Sequence, residues 1–145
     1  MSEVEGTSLA RASFPYRGVD LQICGYAGDP YFEGLAHTAH TNELFFQAVQ
    51  RLPQDAIAFD IGANIGLTAA ILSQHTERLY CFEPNPAMQT ALQATLAANN
   101  LTTRVHTFSL AVGAAEGELS FLNNQQSGSA NHLDTSKNLA ADARS

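Results

Sequence analysis

The run from Ala56 to Gly66, AIAFDIGANIG, constrains this 145-residue chain more than any other stretch. Ala56 to Ile61 is apolar except for Asp60, which predicts a short buried strand with the acid at its carboxyl end. Gly62, Asn64 and Gly66 then space a tight loop, and Leu67 to Gln74 reads as a helix. A strand, a glycine-spaced turn and a helix form the opening unit of a nucleotide-type α/β fold.

The flanking segments fit that unit. Met1 to Arg17 is small and polar and reads as a loose lead-in, whereas Val19, Leu21 and Ile23 alternate with polar neighbours as in a half-buried strand. Asp29 before Pro30 and Asn85 before Pro86 are candidate helix caps with proline in the first turn. Thr41 is a candidate cap for a helix carrying Leu44, Phe45, Ala48 and Val49, expected to pack on the sheet. Arg78 to Glu83 predicts a second strand, Met88 to Asn99 a helix, and Arg104 to Val112 a third strand. Gly113 to Gly117 should turn the chain into a fourth strand, Glu118 to Leu122, antiparallel to its predecessor. Asn123 to Asn131 reads as a loop. The expected organisation is a lead-in with one strand over 1–40, a Rossmann-like half-domain over 41–133, and a tail over 134–145.

Right-handed crossovers would set the three parallel strands side by side with Ala56–Asp60 first. That strand is apolar enough for the middle of a sheet, yet one edge is left without a partner, which favours aggregation. The sequence therefore reads as a sheet truncated after its first half, completed by a missing C-terminal half or by dimerisation.

Composition narrows the partners. The formal charge is −7 with only seven basic residues, and Lys137 is the single lysine. No basic cluster tracks a phosphate backbone, so nucleic acid is not expected as a partner. No run is long and apolar enough to suggest a membrane span, and Glu3 and Glu5 disfavour a signal peptide. The two cysteines, Cys24 and Cys81, fall in apolar strand-like runs and read as buried thiols, which suits a cytoplasmic protein. Phe45, Phe46, Phe59 and Phe82 read as core. His37 and His40, three apart, could form half a metal site on a helix, but no further Cys, His or Asp pattern completes it, so no metal is expected.

The turn itself discriminates among ligands. A dinucleotide fingerprint needs glycine at its first, third and sixth positions, but here these are Gly62, Asn64 and Leu67. No P-loop is present. Asp60, two residues before Gly62, would repel a pyrophosphate and attract a cation such as an α-ammonium. Glu83 lies at the end of the second strand, near where a ribose-binding acid is expected. An adenosine bearing an amino acid and no phosphate suits both acids, as in S-adenosyl-L-methionine.

The segments Asp60-Ile61-Gly62-Ala63-Asn64-Ile65-Gly66 and Cys81-Phe82-Glu83-Pro84-Asn85-Pro86 resemble the FkbM family of methyltransferases. Ser109-Leu110-Ala111-Val112-Gly113 is similar to that family's segment after the third strand. The resemblance implies a class I, Rossmann-like methyltransferase sheet with flanking helices and S-adenosyl-L-methionine as cofactor. By that resemblance Gly62, Ala63, Asn64 and Gly66 would lie along the methionine part, and Asp60 would meet the ammonium. Glu83 would hold the ribose, Asn85 would sit beside the adenosine, and Ser109 or Ala111 would border the adenine. The implied reaction is methylation of a hydroxyl on a small molecule, a sugar or natural product, by attack on the sulfonium methyl group. The family's acidic segment after the next strand has no counterpart here, so no catalytic residue is assigned. Two alternatives remain: a non-catalytic module binding the cofactor or a partner chain, and an NAD-dependent oxidoreductase, which Asn64 and Asp60 disfavour.

Overall fold

The computed structural model of the protein describes residues 8–35, 37, 43–118, 121–122 and 132–133. Strands β1 (Leu9–Tyr16) and β2 (Val19–Tyr26) form an antiparallel hairpin in which Tyr16 faces Val19. Arg17 and Gly18, with φ of 50° and 78°, make the two-residue turn, whose left-handed residues match the strands' own twist. Within the segment expected to be a loose lead-in, Leu9–Tyr16 is therefore a strand. Ala10, Ala12, Phe14 and Tyr16 alternate inward along it, and Pro15 is tolerated because β1 lies at a sheet edge.

Helix α1 (Pro30–Glu33) follows, capped by Asp29, which accepts the N–H groups of Tyr31 and Phe32. Helix α2 (Glu43–Val49) turns Phe45, Phe46 and Val49 inward and leaves Leu44 82% exposed. Its packing differs from expectation. The Phe46 ring lies beside Phe14 and Tyr16 at centroid distances of 6.4 and 5.8 Å, so α2 packs on the hairpin. The candidate cap Thr41 and the histidine His40 lie outside the described residues.

The remaining frame is β3 (Ile57–Ile61), α3 (Leu67–Leu72), β4 (Arg78–Phe82), α4 (Pro86–Ala98) and β5 (Val105–Phe108). The three strands are parallel in the order β3-β4-β5, with Asp60, Cys81 and Thr107 in one row. This is the α/β fold that the glycine turn predicts, with β3 first. Helix α3 packs on β3 and β4, and α4 packs on β2, so the helices lie between the parallel sheet and the hairpin. Buried Ile71, Leu79, Leu92 and Leu96 are central to this layer. Cys24 and Cys81 are buried and free, as expected, and burial followed by the charge of Asp60 pushes the Cys81 thiol up to about 12.

Side chains of α4 finish the free edge of β2. The Gln22 N–H donates to Asn99 Oδ1 at 2.9 Å, and Asn99 Nδ2 donates to the Gln22 carbonyl at 2.7 Å. One strand step further, the Cys24 N–H donates to Thr95 Oγ1 at 2.9 Å. Four helical residues rise about 6 Å and two strand residues about 6.7 Å, so Thr95 and Asn99 keep step with the strand. A bare strand edge is thereby satisfied without another strand.

The opposite face of the parallel sheet is open. β3 alternates, sending Asp60 toward the helices and leaving Ile57, Phe59 and Ile61 at 51%, 62% and 62% exposure. Phe59 is therefore a surface residue and not core, and the strand is not buried on both sides among the described residues. Phe59 stacks on Tyr80 and Phe82, Tyr80 on His106, and Phe82 on Phe108, making a continuous aromatic surface.

β5 is also shorter than expected. Once Phe108 has paired with Phe82, β4 offers nothing further, and Leu110 and Val112 emerge exposed despite their strand-like alternation. Strand β6 (Phe121–Leu122) pairs antiparallel with β7 (His132–Leu133) and not with β5, a long-range pairing that the intervening polar sequence concealed. The predicted loop over 123–131 and the tail over 134–145 fall outside the described residues. No described helix is long and apolar enough to cross a membrane.

Candidate functional site

The site forms where the carboxyl ends of β3, β4 and β5 meet the glycine loop. Gly62 and Ala63 both donate their N–H to the Phe82 carbonyl, at 2.8 and 3.1 Å, bending the loop over the end of β4. Gly62 has φ of 78° and Asn64 φ of 49°, both in the left-handed region. Gly66, with φ of 91°, begins α3 where a Cβ would stand 2.8 Å from Leu92 Cδ1. Glycine there permits both the reversal of the chain and the close approach of α3 to α4.

Glu83 fastens the loop to the next one. Its Oε2 accepts the Asn64 N–H at 2.9 Å and its Oε1 accepts the Asn85 N–H at 2.8 Å. Asn85 in turn caps α4 by accepting the Ala87 N–H, and is fully buried. Gln89, which sequence reasoning passed over, donates from Nε2 to the carbonyls of Glu83 and Phe108, at 2.9 and 3.0 Å. It ties the ends of β4 and β5 together from one helical turn beyond the cap.

Four of the loop's backbone donors are thus committed. The N–H groups of Gly62, Ala63, Asn64 and Gly66 all find acceptors within the protein, Gly66 donating to the Ala63 carbonyl. What the loop presents instead are acceptors. Asp60 Oδ2 and Asn64 Oδ1 are buried and have no hydrogen-bond partner among the described residues. Asp60 is 8% exposed, and burial, then the nearby Glu83 carboxylate, push its pKa up to about 6. Two buried acceptors on a carboxylate and an amide call for a donor-rich, cationic group.

Of the nine residues singled out from sequence, Asp60, Gly62, Ala63, Asn64, Gly66, Glu83 and Asn85 come together in this frame. Ser109 directly follows Phe108, whose carbonyl accepts the Glu83 N–H at 3.0 Å, and so stands at the margin of the site. Ala111 is exposed two residues further out, on a segment without regular structure. Tyr31 is a further titratable residue that responds to the Asp60 charge. Its phenol is raised by burial, then by the charges of Asp60 and Asp29. No group of three metal-binding side chains occurs among the described residues.

Neither a protein-family model nor a curated protein matches the sequence. Among solved structures, the chain is similar to PH0793 of Pyrococcus horikoshii, provisionally described as a transferase. That match has 12% identity and a TM-score of 0.47, over 70% of this chain and 36% of the other. It is also similar to wild-type Trm5b of Pyrococcus abyssi, at 13% identity and a TM-score of 0.48, over 72% of this chain and 29% of that one. The chain thus spans about a third of the length of each structure it matches.

Proposed function

We propose that this chain is the S-adenosyl-L-methionine-binding part of an FkbM-like methyltransferase. The observation that carries the reading is the pair of buried acceptors, Asp60 Oδ2 and Asn64 Oδ1, without a partner among the described residues, on a glycine loop in which the N–H groups of Gly62, Ala63, Asn64 and Gly66 are already used. A pyrophosphate would need those N–H groups and would meet the Asp60 charge. An α-ammonium needs acceptors, which these are, so the residues present fit the amino-acid end of the cofactor. Glu83 retains acceptor capacity for ribose hydroxyls, since each of its oxygens accepts one backbone N–H and has a further lone pair. The bound sulfonium would supply an electrophilic methyl group, while this chain's residues bind and orient it. The acceptor in this reading is a hydroxyl of a sugar or natural product, in the cytoplasm.

The open aromatic face of the parallel sheet favours a further polypeptide as part of the working protein. Parallel sheets are normally covered on both faces, and here Ile57, Phe59 and Ile61 are not. In that case the chain binds the cofactor and the completing polypeptide supplies the catalytic base.

Titration calorimetry with S-adenosyl-L-methionine and with NAD tests the reading. Saturable heat with the first and none with the second is expected. A folded sample that is silent toward S-adenosyl-L-methionine overturns it.

A further inference from the structure

The tip of the hairpin meets the chain just beyond α3, at the opposite end of that helix from the glycine loop. Tyr16 Oη lies 2.7 Å from His75 Nε2, with the two rings edge to face at a centroid distance of 5.8 Å. Gln74 and His75 follow α3 in a turn fixed by their own N–H groups, which donate to the Ile71 and Leu72 carbonyls at 3.0 and 2.9 Å. A cleft of about 220 Å³ opens between these two elements, lined by Tyr16, Arg17, Val19, Gln74 and His75.

This cleft is rich in donors. Burial raises the Tyr16 phenol and lowers the His75 imidazole, so both are largely neutral at pH 7. The buried phenol needs an acceptor for its proton, and His75 Nε2 lies within reach, which leaves the imidazole proton on Nδ1. Arg17 adds a guanidinium that makes no hydrogen bond or ion pair among the described residues. Its backbone has φ of 50°, at a turn position that ordinarily takes asparagine, aspartate or glycine, so the turn itself does not account for an arginine. None of the five lining residues is an acid, although the whole chain carries a formal charge of −7. Val19, 47% exposed, supplies an apolar wall.

We infer that this cleft is a second binding site, for a small carboxylate bearing a short apolar group. The Arg17 guanidinium pairs with the carboxylate, the His75 Nδ1–H donates to it, and the apolar group lies against Val19 and the Tyr16 ring. The planar fork of a guanidinium matches the two oxygens of a carboxylate. The volume is below the roughly 300–1,000 Å³ of sites for drug-sized ligands, which suits a small molecule. The inference goes beyond the cofactor reading and does not depend on it.

The test titrates the full chain with isobutyrate, and with isobutyramide as its uncharged match, followed by NMR at pH 7.5. Isobutyrate should give saturable shifts at the Arg17 side-chain N–H and the Val19 methyl groups, and isobutyramide none. Glycine suits the left-handed turn, so Arg17→Gly should melt no lower than the wild type while binding isobutyrate about tenfold more weakly or worse. Nitrogen spectra of the free protein should place the His75 proton on Nδ1. A folded wild type without saturable shifts overturns the site. Equal shifts from isobutyramide overturn the pairing with Arg17, as does unchanged affinity in Arg17→Gly. An imidazole protonated on Nε2 overturns the role of His75.

Discussion

Glu83 accepts the backbone N–H of Asn64 at 2.9 Å, so the last residue of one strand unit fixes the loop that follows another. The same carboxylate holds the Asn85 N–H, so it ties the two loops together. The like-charged Asp60 sits nearby, and burial, then the Glu83 charge, drives its pKa up to about 6.

Replacing Glu83 with Ala leaves two N–H groups without their acceptor in a buried place. Urea denaturation should show a loss of about 2 kcal/mol, part of the penalty for the orphaned donors being offset by relief of the repulsion on Asp60. NMR titration of the Asp60 carboxyl should show its pKa falling only part of the way to 3.8, because burial is the larger cause.

Asp60 sets a pH dependence. Its folded pKa lies above the ordinary 3.8, so the folded protein holds the proton more tightly. The stability this group contributes is full below pH 3.8, declines as pH rises toward about 6, and is level beyond. The loss is on the order of 3 kcal/mol. Asp60→Asn should accordingly melt several degrees higher than the wild type at pH 7.5 and converge with it near pH 4. The same variant should lose most affinity for S-adenosyl-L-methionine. In the wild type that affinity should fall as pH drops below about 6, with proton release visible in calorimetry run in two buffers.

Two glycines of one loop should respond differently to alanine. At Gly62 the φ is 78° but nothing lies within 4 Å of an added Cβ, so only backbone strain of about 1 kcal/mol is expected. At Gly66 the φ is 91° and the Cβ meets Leu92 at 2.8 Å and Thr95 at 3.2 Å. Both neighbours are fully buried, and the combined loss should reach about 2–4 kcal/mol. Chemical denaturation of the two variants side by side measures the difference.

Thr95→Val keeps the shape of the side chain and removes the acceptor of the Cys24 N–H. A destabilisation of about 1–3 kcal/mol is expected, and the Cys24 amide should exchange with deuterium faster while amides of β4 stay protected.

The open sheet face predicts a contrast between neighbouring positions. Phe59→Thr keeps a strand-forming residue on the exposed face and should change stability by less than about 1 kcal/mol. It should also reduce binding of an apolar dye and any self-association seen by light scattering. Leu79→Ala, on the helix-covered face of β4, should lose about 2–5 kcal/mol.

Much of this was legible locally. Gly62 and Gly66 mark positive φ, Asp29 and Asn85 before proline mark helix starts, and an apolar run ending in Asp60 marks a strand. These features are written in the sequence because each depends on the conformational limits or hydrogen bonds of residues a few positions apart. The proposed ligand preference draws on local chemistry too, since Asp60, Asn64 and Glu83 carry theirs wherever the strands place them.

Tertiary structure decided the rest. The sequence of β3 is apolar on both faces, and only its packing shows that Asp60 points to the helices while Phe59 points away. Leu9–Tyr16 becomes a strand because β2 and α2 supply its partners. Leu110 and Val112 show the converse, alternating like strand residues with no strand beside them among the described residues. Thr95 and Asn99 read as ordinary helix residues until β2 is laid along them. Local chemistry fixes how each segment bends and what it can bind, whereas burial and adjacency are properties of pairs of segments, settled only when they pack.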